Sequence, residues 1–248
     1  MFVTLQHKLI SAVILGSICL QPLISKALPK IEVLNKLDNV PTFTIVDREG
    51  NPVPLELRLQ NNYPNNNQSL ALAFINPQDA INTLSRLTQK NPQLTNNVSV
   101  IPVSLREIYE LLEENNNQEP PIQIVPIMSE IPAAIALLRG EGVNLDNPEK
   151  VGVPLFYAVV GEKEDYMILQ NNNNQPYIPF YWTKKQVEED INLYRQQASV
   201  TESPSIKIKT IPLSQFVETI VKTNNDTVKI MQIVPSAEQI NTANQLNQ

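Results

Sequence analysis

The chain has 248 residues, 42% of them apolar and 6% aromatic, with a formal charge of −6, one histidine and one cysteine. An apolar share of that size supports a buried core and excludes a disordered chain. The acidic balance opposes non-specific attraction to nucleic acid or anionic lipid, both of which need Lys and Arg to neutralise phosphate, so neither is an expected partner.

Lys8 precedes an apolar run from Leu9 to Leu20, followed by Pro22 and the small-x-Ala tripeptide Ser25-Lys26-Ala27. That order predicts a secretory signal peptide, residues 1–27, cut after Ala27. The run is about twelve residues, too short for an uncleaved anchor, which needs about twenty; no integral membrane segment is expected after cleavage. Acylation at Cys19 is disfavoured because bulky Ile18 stands where a lipoprotein wants a small residue. Cleavage takes Lys8 and Lys26 from the nineteen basic residues, leaving seventeen against twenty-five acidic and a formal charge of −8. It also removes His7 and Cys19, and with them any imidazole base, thiolate nucleophile or disulfide. Most zinc, copper and haem sites lose their ligands as well. No cofactor, no metal and no catalytic residue is expected, and the mature chain reads as a binding module rather than an enzyme.

The elements that follow run through the same order twice. Val40-Pro41-Thr42-Phe43-Thr44-Ile45-Val46 predicts a strand, the turn Asp47 to Gly50 a reversal, and Val53 to Leu59 a second strand of a hairpin. After the polar tract Asn61 to Gln68 comes a strand from Leu70 to Ile75. Asn76 then caps a helix with Pro77 at its first position and Ile81, Leu84 and Leu87 on one face. Val98 to Val103 predicts a strand running into the capping box Ser104-Leu105-Arg106-Glu107, with Ile108, Leu111 and Leu112 behind it. Ile122 to Met128 predicts another strand, and Pro132 to Arg139 a helix stopped by Gly140. In the second half Val153-Pro154-Leu155-Phe156-Tyr157-Ala158-Val159 answers the first strand, and Tyr166 to Gln170 the hairpin return. Tyr177 to Trp182 answers the next strand, with Thr183 and Gln186 capping a helix whose stripe is Val187, Ile191 and Tyr194. Ile206 to Leu213 precedes a helix from Ser214 with Val217, Ile220 and Val221. Val228 to Val234 and a helix from Ala237 to Leu246 close the chain.

Each half thus reads β-β-β-α-β-α-β-α, and the Val-Pro-x-Phe and Ile-Pro-x-Ser signatures recur in the same order. Strand-helix-strand segments imply right-handed crossovers and some parallel pairing. The expected fold class is α/β, with two pseudo-twofold-related repeats of roughly 110 residues, each a mixed sheet with packed helices. The expected boundaries are 28–140 for the first repeat, 141–152 for the connecting segment and 153–248 for the second. The tracts Asn61 to Gln68, Asn115 to Gln118 and Asn171 to Gln175 read as loop insertions, since they have no apolar face to bury.

Chemistry-bearing motifs are missing. There is no glycine-rich phosphate cradle, and Gly140-Glu141-Gly142 lacks the third glycine of a dinucleotide fingerprint and follows a helix instead of a strand. Neither Gly-x-Ser-x-Gly nor Ser-x-x-Lys occurs. The carboxylates Glu113-Glu114, Glu162, Glu164 and Asp165, and Glu188-Glu189-Asp190 read as solvated faces. A carboxylate-dependent hydrolase would need a pair about 5 to 10 Å apart across a cleft. Asn144-Leu145-Asp146-Asn147 has calcium-ligand types without a suitable continuation.

Aromatic side chains concentrate at Phe156, Tyr157, Tyr177, Phe180, Tyr181 and Trp182, with aliphatic Ile178 among them and Phe43 and Phe74 at matching places in the first half. Two readings stay open: core strands, or an edge strand, favoured by Pro176 and Pro179, that offers aromatics on both faces to an extended polypeptide. These nine residues are the candidate polypeptide-binding set.

Val40-Pro41-Thr42-Phe43, Ile101-Pro102-Val103-Ser104-Leu105, Gly152-Val153-Pro154-Leu155-Phe156 and Pro179-Phe180-Tyr181-Trp182-Thr183-Lys184-Lys185-Gln186, in this order, resemble the Tic22-like family. It includes the intermembrane-space component of the chloroplast import translocon and its cyanobacterial relatives. The resemblance runs from about Leu28 to the last helix and brings no catalytic residue with it. It implies a soluble factor between two membranes, here the periplasm or thylakoid lumen, that handles translocating, unfolded, precursor or outer-membrane-bound polypeptides as a chaperone. Export, the repeat and the aromatic strand add the expectation of apolar surface grooves on the two halves. An outer-membrane β-barrel assembly protein is the example of a folded partner under the scaffold alternative. The bacterial-type signal peptide, where plant members carry a plastid-targeting segment, points to a cyanobacterial relative. Two alternatives stand beside the chaperone: a scaffold for one folded partner, and the carboxylate-dependent hydrolase.

Overall fold

The computed structural model describes residues 29–56, 69–114, 121–145, 151–197 and 205–247. The expected signal peptide and the tracts Asn61 to Gln68 and Asn115 to Gln118 lie outside them. The third tract makes a tight turn: Asn171 Oδ1 accepts from the amides of Asn173 and Gln175, at 2.9 and 3.0 Å.

A helix the periodicity did not predict, α1 (Lys30–Asp38), comes first. Then follow β1 (Pro41–Asp47), β2 (Leu55–Glu56), β3 (Ser69–Phe74), α2 (Pro77–Lys90), β4 (Val98–Ser104), α3 (Leu105–Glu114), β5 (Ile122–Val125) and α4 (Ile131–Gly140). The second half holds β6 (Pro154–Val160), β7 (Asp165–Tyr166), β8 (Leu169–Gln170), β9 (Pro176–Tyr181), α5 (Lys184–Gln197), β10 (Ile206–Pro212), α6 (Leu213–Lys222), α7 (Asp226–Ile230), β11 (Met231–Val234) and α8 (Ala237–Leu246). The α/β class matches the expectation, and the element order does so apart from α1, the short helix α7 and the two expected hairpin returns. Within Val53 to Leu59 the described strand β2 pairs with β3 and not with β1, and Tyr166 to Gln170 is split into β7 on β6 and β8 on β9. Val228 to Val234 does not form one strand. Asn225 caps a short helix by accepting from the Val228 amide at 2.8 Å, so β11 begins only at Met231.

Local signals formed as written. Asn76 Oδ1 takes the Gln78 amide at 2.8 Å. Ser104 and Glu107 close the capping box, Glu107 Oε2 accepting the Ser104 amide at 2.9 Å while the Glu107 amide donates to Ser104 Oγ at 3.2 Å. The Gln186 amide likewise donates to Thr183 Oγ1 at 3.3 Å.

The two sheets share one plan. In the first, β4, β1 and β3 are antiparallel neighbours, and β5 joins β3 in parallel. In the second, β10, β6 and β9 are antiparallel and β11 joins β9 in parallel. Registers correspond as well: Pro41 faces Ser104 and Pro154 faces Pro212, while Phe43 faces Phe74 and Phe156 faces Tyr181. The amide opening α3 donates to Val40 O and that opening α6 to Val153 O, both at 2.7 Å. These registers place Leu105 opposite Leu213 in the repeat. The two Ile-Pro-x-Ser stretches, Ile101 to Ser104 and Ile211 to Ser214, therefore stand two residues out of structural register. Their recurrence survived because a shift of two keeps a strand's side chains on the same face.

Compact units do not coincide with the sequence halves. One contains Leu37–Ile127 together with α8; the other contains the residues of α1 up to Lys36 together with Met128–Ser236, and so takes α4. The helix after each half's last strand thus belongs to the unit built on the other half's sheet. In the first unit Gln239 of α8, nearly fully buried, donates through Nε2 to Ile75 O at 2.9 Å and to Pro41 O at 3.4 Å. Its core holds Phe43, Ile45, Leu72, Phe74, Ala80, Val100 and Ala243. In the second unit Phe156, Ala158, Tyr177, Tyr181, Val187 and Ile191 pack with Ala134 of α4.

Candidate functional site

The sequence nominated the aromatic strands, and the structure buries them. Phe43, Phe74, Phe156, Tyr177, Ile178, Phe180, Tyr181 and Trp182 are all core residues, and Tyr157 is half-buried. The edge-strand reading of residues 176–181 is corrected, because β9 lies between β6 and β11. Its prolines are tolerated by the register. β8 pairs with Pro176 and Tyr177, β6 reaches only Tyr181, and Pro179 falls between the two ladders, where its missing N–H costs no bond on that side. The two faces of β9 divide the set. Tyr177 and Tyr181 point into the core shared with α5, where the Tyr181 hydroxyl donates to the buried Asp190 carboxylate. Phe180 points the other way, its ring centroid 5.0 Å from Tyr157, 4.8 Å from Phe216 and 6.2 Å from Tyr166. Trp182 is buried with no acceptor for its indole Nε1 among the described residues.

Asp190 was expected on a solvated face and is instead 4% exposed. Its spacing carried the signal, for Val187, Asp190 and Ile191 stand at i, i+3 and i+4 on one helical stripe. Glu164 was also expected to be simply solvated. It bonds Lys209 and, at 2.9 Å, Lys207, while Lys209 reaches Glu141 at 3.7 Å. The hydrogen bonds from the two lysines hold the Glu164 carboxyl below the usual range, and Glu164 raises Lys209 in return.

The open site lies where the sequence showed nothing. In the first unit, the sheet face opposite the Phe43 core and helix α3 enclose a cavity of about 380 Å³. Its buried floor is Thr44, Val46, Ala71 and Ala73; Ile101, Val103, Ile108, Leu111 and Ile122 form apolar walls; exposed Gly50, Pro52 and Glu107 stand at its rim. The volume falls within the range of small-ligand pockets. Thr44 adds little polarity, since its hydroxyl donates to Leu72 O at 2.9 Å. Glu107 is taken up by the Ser104 cap, and Glu110 accepts from Arg106 Nε at 3.3 Å. Gly50 sits at φ +86°, the left-handed conformation that lets the chain turn sharply at the end of β1.

Comparison with known proteins then decides the family. The profile described as the Tic22-like family matches residues 8–245. This chain belongs to the Tic22-like family. Among solved structures, Tic22 from Plasmodium falciparum superposes with a TM-score of 0.65 at 19% identity, over 87% of this chain and 97% of that one. Anabaena Tic22, described as a protein-transport protein, gives 0.70 at 22% identity, over 89% of this chain and 99% of that one. These likenesses establish the fold. A search of curated proteins gives no significant match.

Within this Tic22-like chain the cavity offers poor support for a two-carboxylate hydrolase. Glu107 and Glu110 both project from α3, on one side of the space, whereas a glycosidase sets its carboxyls on either side of the scissile bond. Groups of three or more His, Cys, Asp or Glu that could hold a metal are absent among the described residues, and no described helix is long and apolar enough to cross a membrane.

The tyrosines of the second unit have a measurable consequence. Burial, the largest cause in each case, pushes the hydroxyls of Tyr157, Tyr166 and Tyr177 above their ordinary value. A group whose folded pKa is raised binds its proton more tightly in the native state. Its contribution is full below the unfolded value, about 10 for tyrosine, and declines as pH climbs toward the folded value. Urea titrations should therefore show stability falling steeply above about pH 10, with tyrosinate absorbance appearing together with unfolding. Tyrosinate that forms fully in the still-folded protein would contradict the assignment.

Proposed function

We propose that this chain is a protein-transport factor of the periplasm that holds unfolded or precursor polypeptides, outer-membrane β-barrel proteins among them, by their apolar side chains. The observation that carries the reading is the cavity above α3 in a member of the Tic22-like family: ligand-sized, apolar, with its charged lining groups already engaged. An unfolded chain exposes the side chains such a cavity accepts, and exposed apolar surface is also what makes it aggregate.

Light scattering of a urea-unfolded outer-membrane β-barrel protein, diluted with and without this protein, tests the proposal. Aggregation should be suppressed in a dose-dependent way. No suppression at roughly tenfold molar excess would sink it. Crosslinking in the periplasm supplies the second readout: a spread of clients is expected, while one stoichiometric partner would favour the scaffold over the chaperone.

A further inference from the structure

The two sheets carry the same plan, but where the first has the cavity the second has rings packed against one another. The registers say why. Thr44 corresponds to Tyr157, because Phe43 and Phe156 hold equivalent pairs. Ala73 precedes Phe74 as Phe180 precedes Tyr181, so Ala73 corresponds to Phe180. Pro52 bridges Val46 as Tyr166 pairs with Val159, and the next amides, Val53 and Met167, donate to the equivalent Ile45 and Ala158 carbonyls, each at 2.9 Å. Ile108 and Phe216 each stand three residues after the leucine that opens the helix. Thr44, Pro52, Ala73 and Ile108 all line the cavity. Tyr157, Tyr166, Phe180 and Phe216 are the four members of the aromatic cluster in the second unit, with centroids 4.8 to 6.2 Å apart. The first unit's cavity is the space left when four rings become Thr, Pro, Ala and Ile.

We infer that the cavity is a receptor for aromatic side chains presented by a polypeptide, and that the equivalent place in the second unit is permanently occupied by the protein's own rings. The inference rests on the proposed polypeptide-binding function and names what that site selects. The scaffold around the space is the one that already holds tilted and edge-to-face rings in the sister sheet, the geometries aromatic pairs prefer. Rim carboxylates committed to Ser104 and Arg106 leave shape and apolarity as the selecting terms. One aromatic site per chain follows, not two.

The test uses the whole mature protein and three fluorescent peptides of one length, alternating serine with phenylalanine, leucine or alanine. The phenylalanine peptide should bind with one site per chain, the leucine peptide about threefold to tenfold more weakly, and the alanine peptide more weakly still. Ala73→Phe and, independently, Ile108→Phe import the second unit's residues and should each weaken the phenylalanine peptide at least about tenfold, with circular dichroism and melting temperature retained. Two variants guard against one failing to fold. Equal affinity for phenylalanine and leucine peptides, with both variants blocking, would overturn the aromatic selection and leave the polypeptide-binding function standing. Undiminished binding in two folded variants would overturn the cavity as the site. Wild-type protein that binds no peptide and suppresses no aggregation would remove the proposed function itself. Dimerisation lost in Ala73→Phe, without peptide binding, would identify a second copy as the occupant and overturn the inference.

Discussion

Deleting α8 should strip protection from the first unit's sheet. The helix is the last element of the chain, yet it belongs to the unit whose strands begin at Pro41. It contributes buried Ile240, Ala243 inside the Phe43 core, and Gln239, whose Nε2 satisfies Ile75 O and Pro41 O. Burial of one large aliphatic side chain is worth about 1.5 to 3 kcal/mol, and leaving a buried acceptor unpaired costs about 1 to 3. The total loss is on the order of 5 kcal/mol, close to the whole stability of a marginal domain. Native-state hydrogen exchange on a chain ending at Ser236 should show amides of β1 and β4 losing much more protection than those of β6 and β10. Equal loss in the two sheets, or none, would contradict the division of the chain. Gln239→Leu, which keeps the helix and removes the donor, should cost about 1 to 3 kcal/mol. The arrangement also delays completion of the first unit until the full chain is available, since its closing contact spans 198 residues.

The second large effect comes from the aromatic cluster and its missing counterpart. Phe180 is fully buried and meets three other rings. Phe180→Ala should destabilise the second unit by about 3 to 5 kcal/mol, the usual range for removing a core phenyl group. The reverse change at the equivalent place behaves differently. Inserting bulk into a filled core costs about 1 to 3 kcal/mol, but Ala73, though fully buried, belongs to the floor of the cavity. Ala73→Phe should therefore change stability by less than about 1 kcal/mol in either direction. Urea denaturation of both variants measures the pair. Comparable losses at the two positions would mean that the first unit has no usable cavity there. The same asymmetry separates stability from binding, because of these two variants Ala73→Phe alone is expected to close the site without loosening the fold.

Several features were legible before any coordinates. Caps are local, and Asn76, Ser104 with Glu107, and Thr183 with Gln186 all formed where the sequence placed them. The repeat was visible because strand and helix periods are short-range properties of the chain. Even so, the Ile-Pro-x-Ser stretches matched two residues out of register, and the pairing of Pro41 with Ser104 and Pro154 with Pro212 was needed to align them. Short α7 replaced the start of an expected strand because Asn225 could cap it, an option that apolar residues at Val228 and Ile230 did not reveal.

The candidate site followed the opposite pattern. Aromatic residues drew attention as binding surface, yet large rings bury the most area and go to the interior first. The space able to receive a ligand is marked by what is small, Thr44, Ala71 and Ala73, and small residues in a strand announce nothing by themselves.

From sequence alone came the α/β class, the doubled element order and the caps, all of which depend on neighbouring residues. Tertiary structure decided which helix covers which sheet, that β9 is internal, and that four ring positions stand vacant in one sheet and filled in the other. Those outcomes depend on residues brought together across long separations, such as Gln239 with Pro41 and Phe180 with Phe216, and no local pattern carries them.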